Sequence, residues 1–379
     1  MSIAARLDNS ILGRWWWTVD RWALVGIGLL IAFGALLIVA ASPAVAERIN
    51  LDPLYFVRRH FVMLPLCLAL MLGLSLLPPV AVRRLALFGL LGAIGLLVVV
   101  LLAGAEIKGA RRWISLAGVS IQPSEFAKPF FAVVAAALFA AWRTEPRFPG
   151  QVLASLVYGL LLALLLLQPD VGQAFVLSAI WFAQFFVAGL PLVLVGIAFA
   201  AGVAGAFAAY FTLGHFRARV DKFLDPDAGD SYQIEKSMEA FLNGGLYGRG
   251  PGEGTVKAYI PDSHADFIFA VAGEELGLLA CLMIVALFAF VVLRSLGRLI
   301  HEQNLFVLLA GTGLIVQFGL QAAINMASTL HLIPTKGMTL PFISYGGSSL
   351  LAMGITTGML LALTRRRPGE IARVGGAAL

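Results

Sequence analysis

The chain has 379 residues, of which 60% are apolar and 13% are charged, and its formal net charge is +6. One water-soluble core could not bury so much apolar surface, so this composition excludes an ordinary soluble protein and indicates a membrane protein. The alternating pattern of a membrane β-barrel is absent, which leaves helices as the spanning structure.

Apolar segments recur along the whole chain, and ten of them are candidates for membrane helices. A helix needs about 20 residues to cross a hydrocarbon layer of about 30 Å. We therefore predict an all-α polytopic membrane protein with a single domain. The ten candidate segments are residues 22–41, 57–77, 83–103, 125–142, 151–168, 171–189, 190–211, 267–293, 304–330 and 342–363.

Lys and Arg are more frequent beside the segment ends that share a side with both termini than beside the opposite ends. This bias predicts that both termini lie in the cytoplasm. The domain then has a cytoplasmic tail at residues 1–21, a large outer loop at 212–266 between helices seven and eight, and a second cytoplasmic tail at 365–379. The first tail lacks the cleavage site of a signal peptide. Both cysteines fall in apolar segments, so we expect no disulfide framework and no metal site.

The outer loop is too long for an ordinary connection, and such loops commonly carry function. Its stretch SYQIEKSMEAFLNGG places Ile234, Met238, Phe241 and Leu242 at helical spacing among polar residues. This pattern predicts an amphipathic helix, which could lie on the membrane surface or pack on the other loops. The glycines between residues 244 and 254 predict a flexible strip leading into PDSHADF.

Charges inside or beside apolar segments are candidate functional residues, because a charge in a membrane helix is costly and usually has a partner or a task. Glu125 and Lys128 in QPSEFAKPF are three residues apart and could pair on one helix face. They could hold helices together, or Lys128 could neutralise an anionic substrate that Glu125 positions. Asp170 in QPDVG lies in a tight outer turn and could bind substrate or serve the turn alone.

Several basic residues lie on the predicted outer side, although Lys and Arg are generally more frequent on the cytoplasmic side of membrane proteins. FVRRH contains Arg59, GARRW contains Arg111 and Arg112, and PTKG contains Lys336. Each alone could be a headgroup anchor. Together they predict an anionic partner on the outer face, and phosphate is the group that arginine clusters most commonly bind.

Asp266 in PDSHADFIFAVAGEELG stands where the eighth apolar segment begins. A carboxylate at that point could cap the helix, which is a common task for Asp. It would also face whatever the outer cations bind. A carboxylate beside a phosphorylated sugar is suited to act as the general base of a glycosyl transfer, so Asp266 is the candidate catalytic residue.

Several motifs occur together and in order: GARRWI, QPSEFAK, QPDVGQ, YQIEKSMEAFLNGG, HADFIFAVAGEELG and PTKGMTLPFISYGGSS. Between about residues 20 and 367, this combination resembles the SEDS family of cell-wall polymerases, named for shape, elongation, division and sporulation. PTKGMTLPFISYGGSS is more similar to the division branch, FtsW, than to the elongation branch, RodA. The chain departs from the family pattern at Ala265, where HTDFIFA is common, and in GRGPGEGTVK.

The resemblance implies a glycosyltransferase of the bacterial inner membrane that polymerises lipid II into peptidoglycan strands at the division septum. Asp266 matches the family's essential loop aspartate, and Glu125 with Lys128 match its conserved helix pair. The expected reaction inverts the donor carbon, with undecaprenyl pyrophosphate leaving beside the outer cations and Lys128. No carboxylate cluster demands a metal cofactor, although a divalent cation, Mg²⁺ or Mn²⁺, could assist at the pyrophosphate.

By the same resemblance, the expected partners are lipid II, membrane lipids, other division proteins and a class B penicillin-binding protein, the FtsI-like transpeptidase. No nucleic acid is expected. Other interpretations remain open: a lipid II flippase with Glu125, Lys128 and Asp170 along its path, or a polymerase of the elongation branch. A non-catalytic scaffold would leave Asp266 without a task.

Overall fold

A computed structural model of the chain describes residues 10–107, 110–116, 119–145, 147–212, 214–224, 232–334 and 337–366. Lys336 and parts of both predicted cytoplasmic tails lie outside these residues. In chain order the helices are α1 (Ile11–Thr18), α2 (Arg21–Arg48), α3 (Tyr55–Ser75), α4 (Pro79–Ala103), α5 (Pro123–Thr144), α6 (Gly150–Leu167), α7 (Val171–Val187), α8 (Leu192–Thr212), α9 (Gly214–Leu224), α10 (Tyr232–Gly244), α11 (Ile268–Leu299), α12 (Leu305–Thr329) and α13 (Gly347–Leu363).

The predicted polytopic helical membrane protein is confirmed. Among the described residues, eight helices are long and apolar enough to cross a membrane, and α7 and α13 are shorter apolar helices. These ten helices correspond in order to the ten predicted segments. Two further helices were not predicted: α1 lies in the N-terminal tail, and α9 lies in the outer loop.

A small antiparallel sheet, also not predicted, lies in the outer connection between α4 and α5. Its strands β1 (Ala105–Ile107), β2 (Ala110–Leu116) and β3 (Val119–Ile121) are hydrogen-bonded in the order β1-β2-β3. Arg111 and Arg112 are neighbours on β2, and successive side chains of a strand point to opposite faces. These two predicted cations are therefore separated by the sheet and do not form a joint site on one face.

Helices α5 and α12 form the centre of the bundle, because most of their apolar windows are buried. Phe131 and Phe139 of α5 belong to one apolar core, and Phe318 of α12 belongs to a second. Helix α8 is the opposite case, since none of its apolar window is buried by the described residues. The polar side chains of α5 and α12 are thus mostly kept inside the protein and away from lipid.

The eighth membrane helix, α11, consists of two helical pieces joined at Gly277. That residue has φ 80° and ψ −179°, a backbone conformation that glycine alone adopts readily. Residues 278–299 alone are long enough to cross the membrane, since about 22 residues rise about 33 Å. The predicted segment 267–293 matches this helix, but residues 268–275 precede the break and are buried in protein.

The glycine-rich segment before Asp266 supplies the hydrogen bonds that the break leaves open. Four backbone bonds join the two parts: Arg249 N to Glu274 O, Gly250 N to Glu275 O, Leu278 N to Gly245 O and Leu279 N to Leu246 O. A Cβ atom at Gly244 or Gly248 would collide with the backbone of α11. The expectation of a flexible strip is therefore wrong, because these glycines allow a close backbone contact.

Glu274 and Glu275 anchor the end of the same segment. The Glu274 carboxylate accepts hydrogen bonds from the backbone N–H groups of residues 255–257, at 2.8, 2.8 and 3.0 Å. Glu275 pairs with Lys257, whose ammonium also donates to the Ala40 carbonyl of α2 at 2.9 Å. Both carboxylates are buried, so they hold the outer loop to the helices and do not face solvent.

The predicted amphipathic helix is present as α10. Its small residues Ser237, Ala240 and Gly244 are buried, and the helix packs along α11. Met238 and Leu242 of the predicted apolar stripe remain exposed. Of the two alternatives, packing on the protein accounts for the small-residue face, while part of the apolar stripe stays available to a membrane surface.

Candidate active site

Asp266 lies half-buried in a turn immediately before α11. Backbone hydrogen bonds from Ala265 and Asp266 to the Asp262 carbonyl close this turn, at 2.9 and 3.1 Å. Asp262 itself has φ 53°, a left-handed conformation that Asp and Asn adopt more readily than most residues. The helix N-cap is Phe267, the residue after Asp266, and its side chain makes no capping hydrogen bond. The interpretation of Asp266 as the helix cap is therefore wrong.

The segment 337–345, from the motif PTKGMTLPFISYGGSS, packs against this turn. Ser344 Oγ donates a hydrogen bond to the Ala265 carbonyl at 2.6 Å. The Tyr345 N–H donates to the His264 carbonyl at 2.9 Å. Two motifs about 80 residues apart in sequence, HADFIFA and the C-terminal motif, thus form one surface.

Asn325 of α12 joins the same two segments from below. Its side-chain amide donates to the Asp266 carbonyl at 2.9 Å and to the Met338 carbonyl at 2.6 Å. Gly337 lies beside the carboxylate, since a Cβ atom there would be 3.0 Å from Asp266 Oδ2. The carboxylate therefore lies next to a backbone without a side chain, which permits a close approach.

Aromatic rings form a wall beside the turn. The His264 ring lies 4.5 Å from the Phe56 ring and 5.1 Å from the Tyr345 ring, centroid to centroid. Burial lowers the pKa of His264 to about 4, so its imidazole is neutral near pH 7. Arg59 donates to the Tyr55 hydroxyl at 2.8 Å. The Tyr55 ring lies 5.2 Å from the Phe56 ring, so Arg59 lies at the edge of this aromatic wall. Burial raises the pKa of Tyr345, and the positive charge of Arg59 opposes that shift.

The predicted pair of Glu125 and Lys128 lies inside the bundle at the outer end of α5. Lys128 is fully buried and donates to Glu125 Oε2 at 2.9 Å, to Gln173 Oε1 at 2.5 Å and to Gln321 Oε1 at 3.0 Å. Gln173 in turn donates to the other Glu125 oxygen. An ammonium group has three protons, and all three have protein acceptors here. This geometry favours the structural alternative for the pair over direct contact between Lys128 and a substrate.

Helix α12 connects that buried pair to the Asp266 turn. Gln321 accepts from Lys128 and donates to the Thr339 carbonyl at 3.3 Å. Asn325 follows one turn later on the same helix face. One face of α12 therefore contacts Lys128, the segment 337–345 and the backbone of Asp266 in succession.

Asp170 and Arg112 meet at the outer turn between α6 and α7. Arg112 donates to the carbonyls of Gln168 at 3.1 Å and Pro169 at 2.5 Å, and its guanidinium lies 3.9 Å from the Asp170 carboxylate. Burial raises the pKa of Asp170, and Arg112 opposes that shift. Asp170 also caps α7 through the Gln173 N–H at 3.5 Å. Both side chains thus fix the sheet to the turn.

The predicted site residues fall into three groups. Asp266 and Arg59 lie on the outer surface formed by HADFIFA and the C-terminal motif, while Glu125, Lys128, Asp170 and Arg112 form a continuous polar cluster with Gln173 beneath it. Arg111 is exposed on β2, and Lys336 lies outside the described residues. Among the described residues, no group of three or more His, Cys, Asp or Glu side chains could hold a metal ion.

Three neutral members of the site were not predicted from the sequence: Gln173, Gln321 and Asn325. A usable signal was present, because Gln321 and Asn325 are four residues apart in a segment that is otherwise mostly apolar. Polar side chains in membrane helices usually face the bundle interior. Charge was the signal that marked the predicted site residues, and these amides carry none.

The family model for cell cycle proteins of the FtsW, RodA and SpoVE type matches residues 21–368. The chain belongs to this family. A probable peptidoglycan glycosyltransferase FtsW of Caulobacter vibrioides is 46% identical over 372 residues, 98% of this chain and 95% of the relative. Another of that name, from Coxiella burnetii, is 35% identical over 365 residues, 92% of this chain and 96% of the relative.

Two solved structures share the fold. One comes from a peptidoglycan synthase complex described as coordinating polymerization and crosslinking; it has a TM-score of 0.76, 29% identity and coverage of 91% of this chain and 97% of that chain. The other is the rod shape determining protein RodA of Thermus thermophilus, with a TM-score of 0.68, 28% identity and coverage of 92% and 97%.

Proposed function

We propose that this chain is a peptidoglycan glycosyltransferase of the division branch, which polymerises lipid II on the outer face of the inner membrane. The relatives named FtsW support the reaction and the branch. The observation that carries the site is the half-buried Asp266 carboxylate, held on the outer surface between two segments and beside Gly337. A scaffold protein would have no use for a carboxylate presented in this way.

In the proposed reaction, Asp266 accepts the proton of the 4-hydroxyl of the acceptor sugar. The freed oxygen attacks C1 of the donor from the face opposite the pyrophosphate, so the α-linkage becomes β. One carboxylate suffices, because no covalent sugar intermediate forms. The C1–oxygen bond breaks as undecaprenyl pyrophosphate departs with both electrons, and cations near the departing phosphates stabilise that negative charge.

The proposed phosphate-binding side chains are Arg59 and Arg111, together with Lys336, which lies outside the described residues. Arg59 lies beside the Asp266 surface, and Arg111 is exposed on β2. Glu125, Lys128, Asp170 and Arg112 support the surface from below rather than touching the substrate. This division follows from their burial and their existing hydrogen bonds.

The proposed setting is a division septum, with both termini in the cytoplasm. A class B penicillin-binding protein similar to FtsI is the proposed partner, since a solved relative comes from a complex that coordinates polymerization and crosslinking. The flippase alternative is less well supported. Glu125 and Lys128 would line its path, yet in this conformation they are buried and paired with each other.

The decisive test is Asp266→Asn in the full-length protein with its transpeptidase partner, measured as lipid II polymer separated on a gel. Asn cannot accept the proton, so the polymerisation rate should fall by roughly two to four powers of ten. Asp262→Asn is the matched control in the same turn. Its carbonyl remains to close the turn, and Asn suits the left-handed backbone at this position.

Thermal unfolding of the same samples shows whether each variant is folded. Asp266→Asn should unfold near the parent temperature, because Asn has nearly the same size and the backbone hydrogen bonds that close the turn remain. A folded Asp266→Asn protein that polymerises lipid II at the parent rate would refute the assignment of the base. An inactive parent, assayed with its partner, would refute the proposed activity itself.

A further inference from the structure

Asn325 is a fully buried side chain whose hydrogen bonds reach two different segments of the outer surface. Both hydrogen-bond acceptors are backbone carbonyl oxygens, those of Asp266 and Met338. Only the NH₂ end of an amide can face two acceptors, so the orientation of the side chain is fixed. The planar amide of Asn325 thus sets the distance between the backbone of Asp266, the candidate base, and the backbone of Met338.

The oxygen end of the Asn325 amide makes no comparable contact. Its Oδ1 atom is buried and has no hydrogen-bond partner in the described part of the chain. A buried acceptor without a donor is costly, and such atoms in a native structure call for an explanation. The side chain is therefore poorly optimised for stability alone, and its two donor contacts are what it contributes.

The position of these contacts suggests what they do. Gly337 lies beside the Asp266 carboxylate, because a Cβ atom added to this glycine would be 3.0 Å from Asp266 Oδ2. Asn325 holds the next residue, Met338, through its carbonyl oxygen. Without the amide, the two segments could separate or slide along each other, and the carboxylate would move with its backbone. Displacements of about 1 Å at a reacting group can cost two powers of ten in rate.

We propose that Asn325 is a positioning residue, which holds the Asp266 carboxylate at the height and angle required to take the acceptor proton. This inference rests on the proposed glycosyl transfer and assigns a further residue to it. Asn325 acts through the backbone of Asp266 and touches no substrate. Its rigid base is α12, which is also held by the contact between Gln321 and Lys128 one turn below.

The test is Asn325→Leu in the full-length protein, which keeps the branched shape of the side chain and removes both donors. Gln184→Leu is a matched control, because Gln184 is also fully buried and donates to two backbone carbonyls, those of Ala132 and Leu309. Its Oε1 also lacks a partner among the described residues. Gln184 contacts α12 at Leu309, which lies about 24 Å along the helix from Asn325. The control substitution is therefore remote from Asp266.

Two readouts are needed. Amide hydrogen exchange of residues 262–267 and 337–341 should rise on the order of tenfold in Asn325→Leu, since two hydrogen bonds that close these segments are lost, and should stay at parent level in Gln184→Leu. In the lipid II assay, kcat per folded molecule should fall about 10- to 100-fold in Asn325→Leu with KM little changed. Gln184→Leu should retain the parent kcat. Asn325→Ser, which is too short to span both carbonyls, gives the same comparison if the leucine variant does not fold.

Unchanged exchange in both segments would overturn the proposal, and so would raised exchange with an undiminished kcat. Equal losses of kcat in Asn325→Leu and Gln184→Leu would reduce Asn325 to a general structural residue and would also overturn it. An inactive parent would instead refute the proposed function. In that case the exchange measurement still decides whether Asn325 holds the two segments together.

Discussion

Replacing Lys128 by methionine tests whether this residue supports the protein or binds the substrate. Methionine has a similar length and no charge, so Lys128→Met removes the ammonium without leaving a large cavity. The ammonium is fully buried and donates three hydrogen bonds, to Glu125, Gln173 and Gln321. The variant leaves all three acceptor oxygens without that donor, inside the protein.

The size of the effect follows from those contacts. Removing one partner of a buried ion pair typically costs about 3–5 kcal/mol, because the other charge stays buried and unpaired. The two amide oxygens add to this loss, although not independently, so we expect a free energy of unfolding lower by about 5 kcal/mol. For a chain of 379 residues, that corresponds to a fall of about 6 °C in Tm.

The double variant Glu125→Gln, Lys128→Met is the control. It removes both charges, and the new amide at position 125 can bond to Gln173, which already donates to that side chain. More than half of the lost stability should return. Thermal unfolding in detergent and lipid II polymerisation are measured on the same samples. A Lys128→Met protein that unfolds within about 2 °C of the parent but makes no polymer would refute the structural role and favour contact with substrate.

Three further predictions concern the outer surface and the topology. His264→Phe keeps a ring against its neighbours but cannot titrate. The pKa of His264 is lowered from 6.5 to about 4, mainly by burial, so the unfolded chain takes up a proton before the folded one as the pH falls. From pH 7 to pH 4.5 the parent should therefore lose roughly 2–3 kcal/mol of stability that the variant retains, and parallel stability curves would contradict this. Gly337→Ala should lower the polymerisation rate about tenfold or more, because the added methyl group crowds Asp266. Gly347→Ala is the control and should keep the parent rate, since its Cβ would meet only Met63 at 3.9 Å. Equal rates in the two variants would exclude crowding. A reporter fused after residue 230 should be found outside and one fused after residue 370 in the cytoplasm, and finding both on one side would exclude the ten-helix topology.

The membrane helices could be predicted because the bilayer imposes a length and a composition on each of them. The outer parts were harder to predict, since they obey no such rule. Strands β1 and β3 have only three residues each, too few for an alternating pattern to be recognised. The break at Gly277 is hidden in an apolar run, and the groups that satisfy it come from a segment about 30 residues earlier.

The candidate site was predicted in part, for a similar reason. Charges such as Lys128 and Asp266 stand out in apolar surroundings, so sequence alone located them. Their roles depend on contacts between distant segments, and sequence alone could not separate a substrate contact from the buried network of Lys128. The capping alternative for Asp266 fails because α11 begins one residue later than that role requires. Asn325 was missed because an uncharged amide looks unremarkable until its two carbonyl partners are known.

The break at Gly277 has a mechanical consequence for the enzyme. The hydrogen-bond ladder of α11 does not continue through this point, because the groups on either side bond to residues 245–250 instead. A change in the tilt of residues 278–299, such as a thicker or thinner bilayer imposes, is therefore not transmitted along a rigid rod to Asp266. The short helix that follows Asp266 is instead fixed to the outer loop by Glu274 and Glu275. The carboxylate of Asp266, the candidate base, is thus mechanically separated from the lipid-facing part of α11.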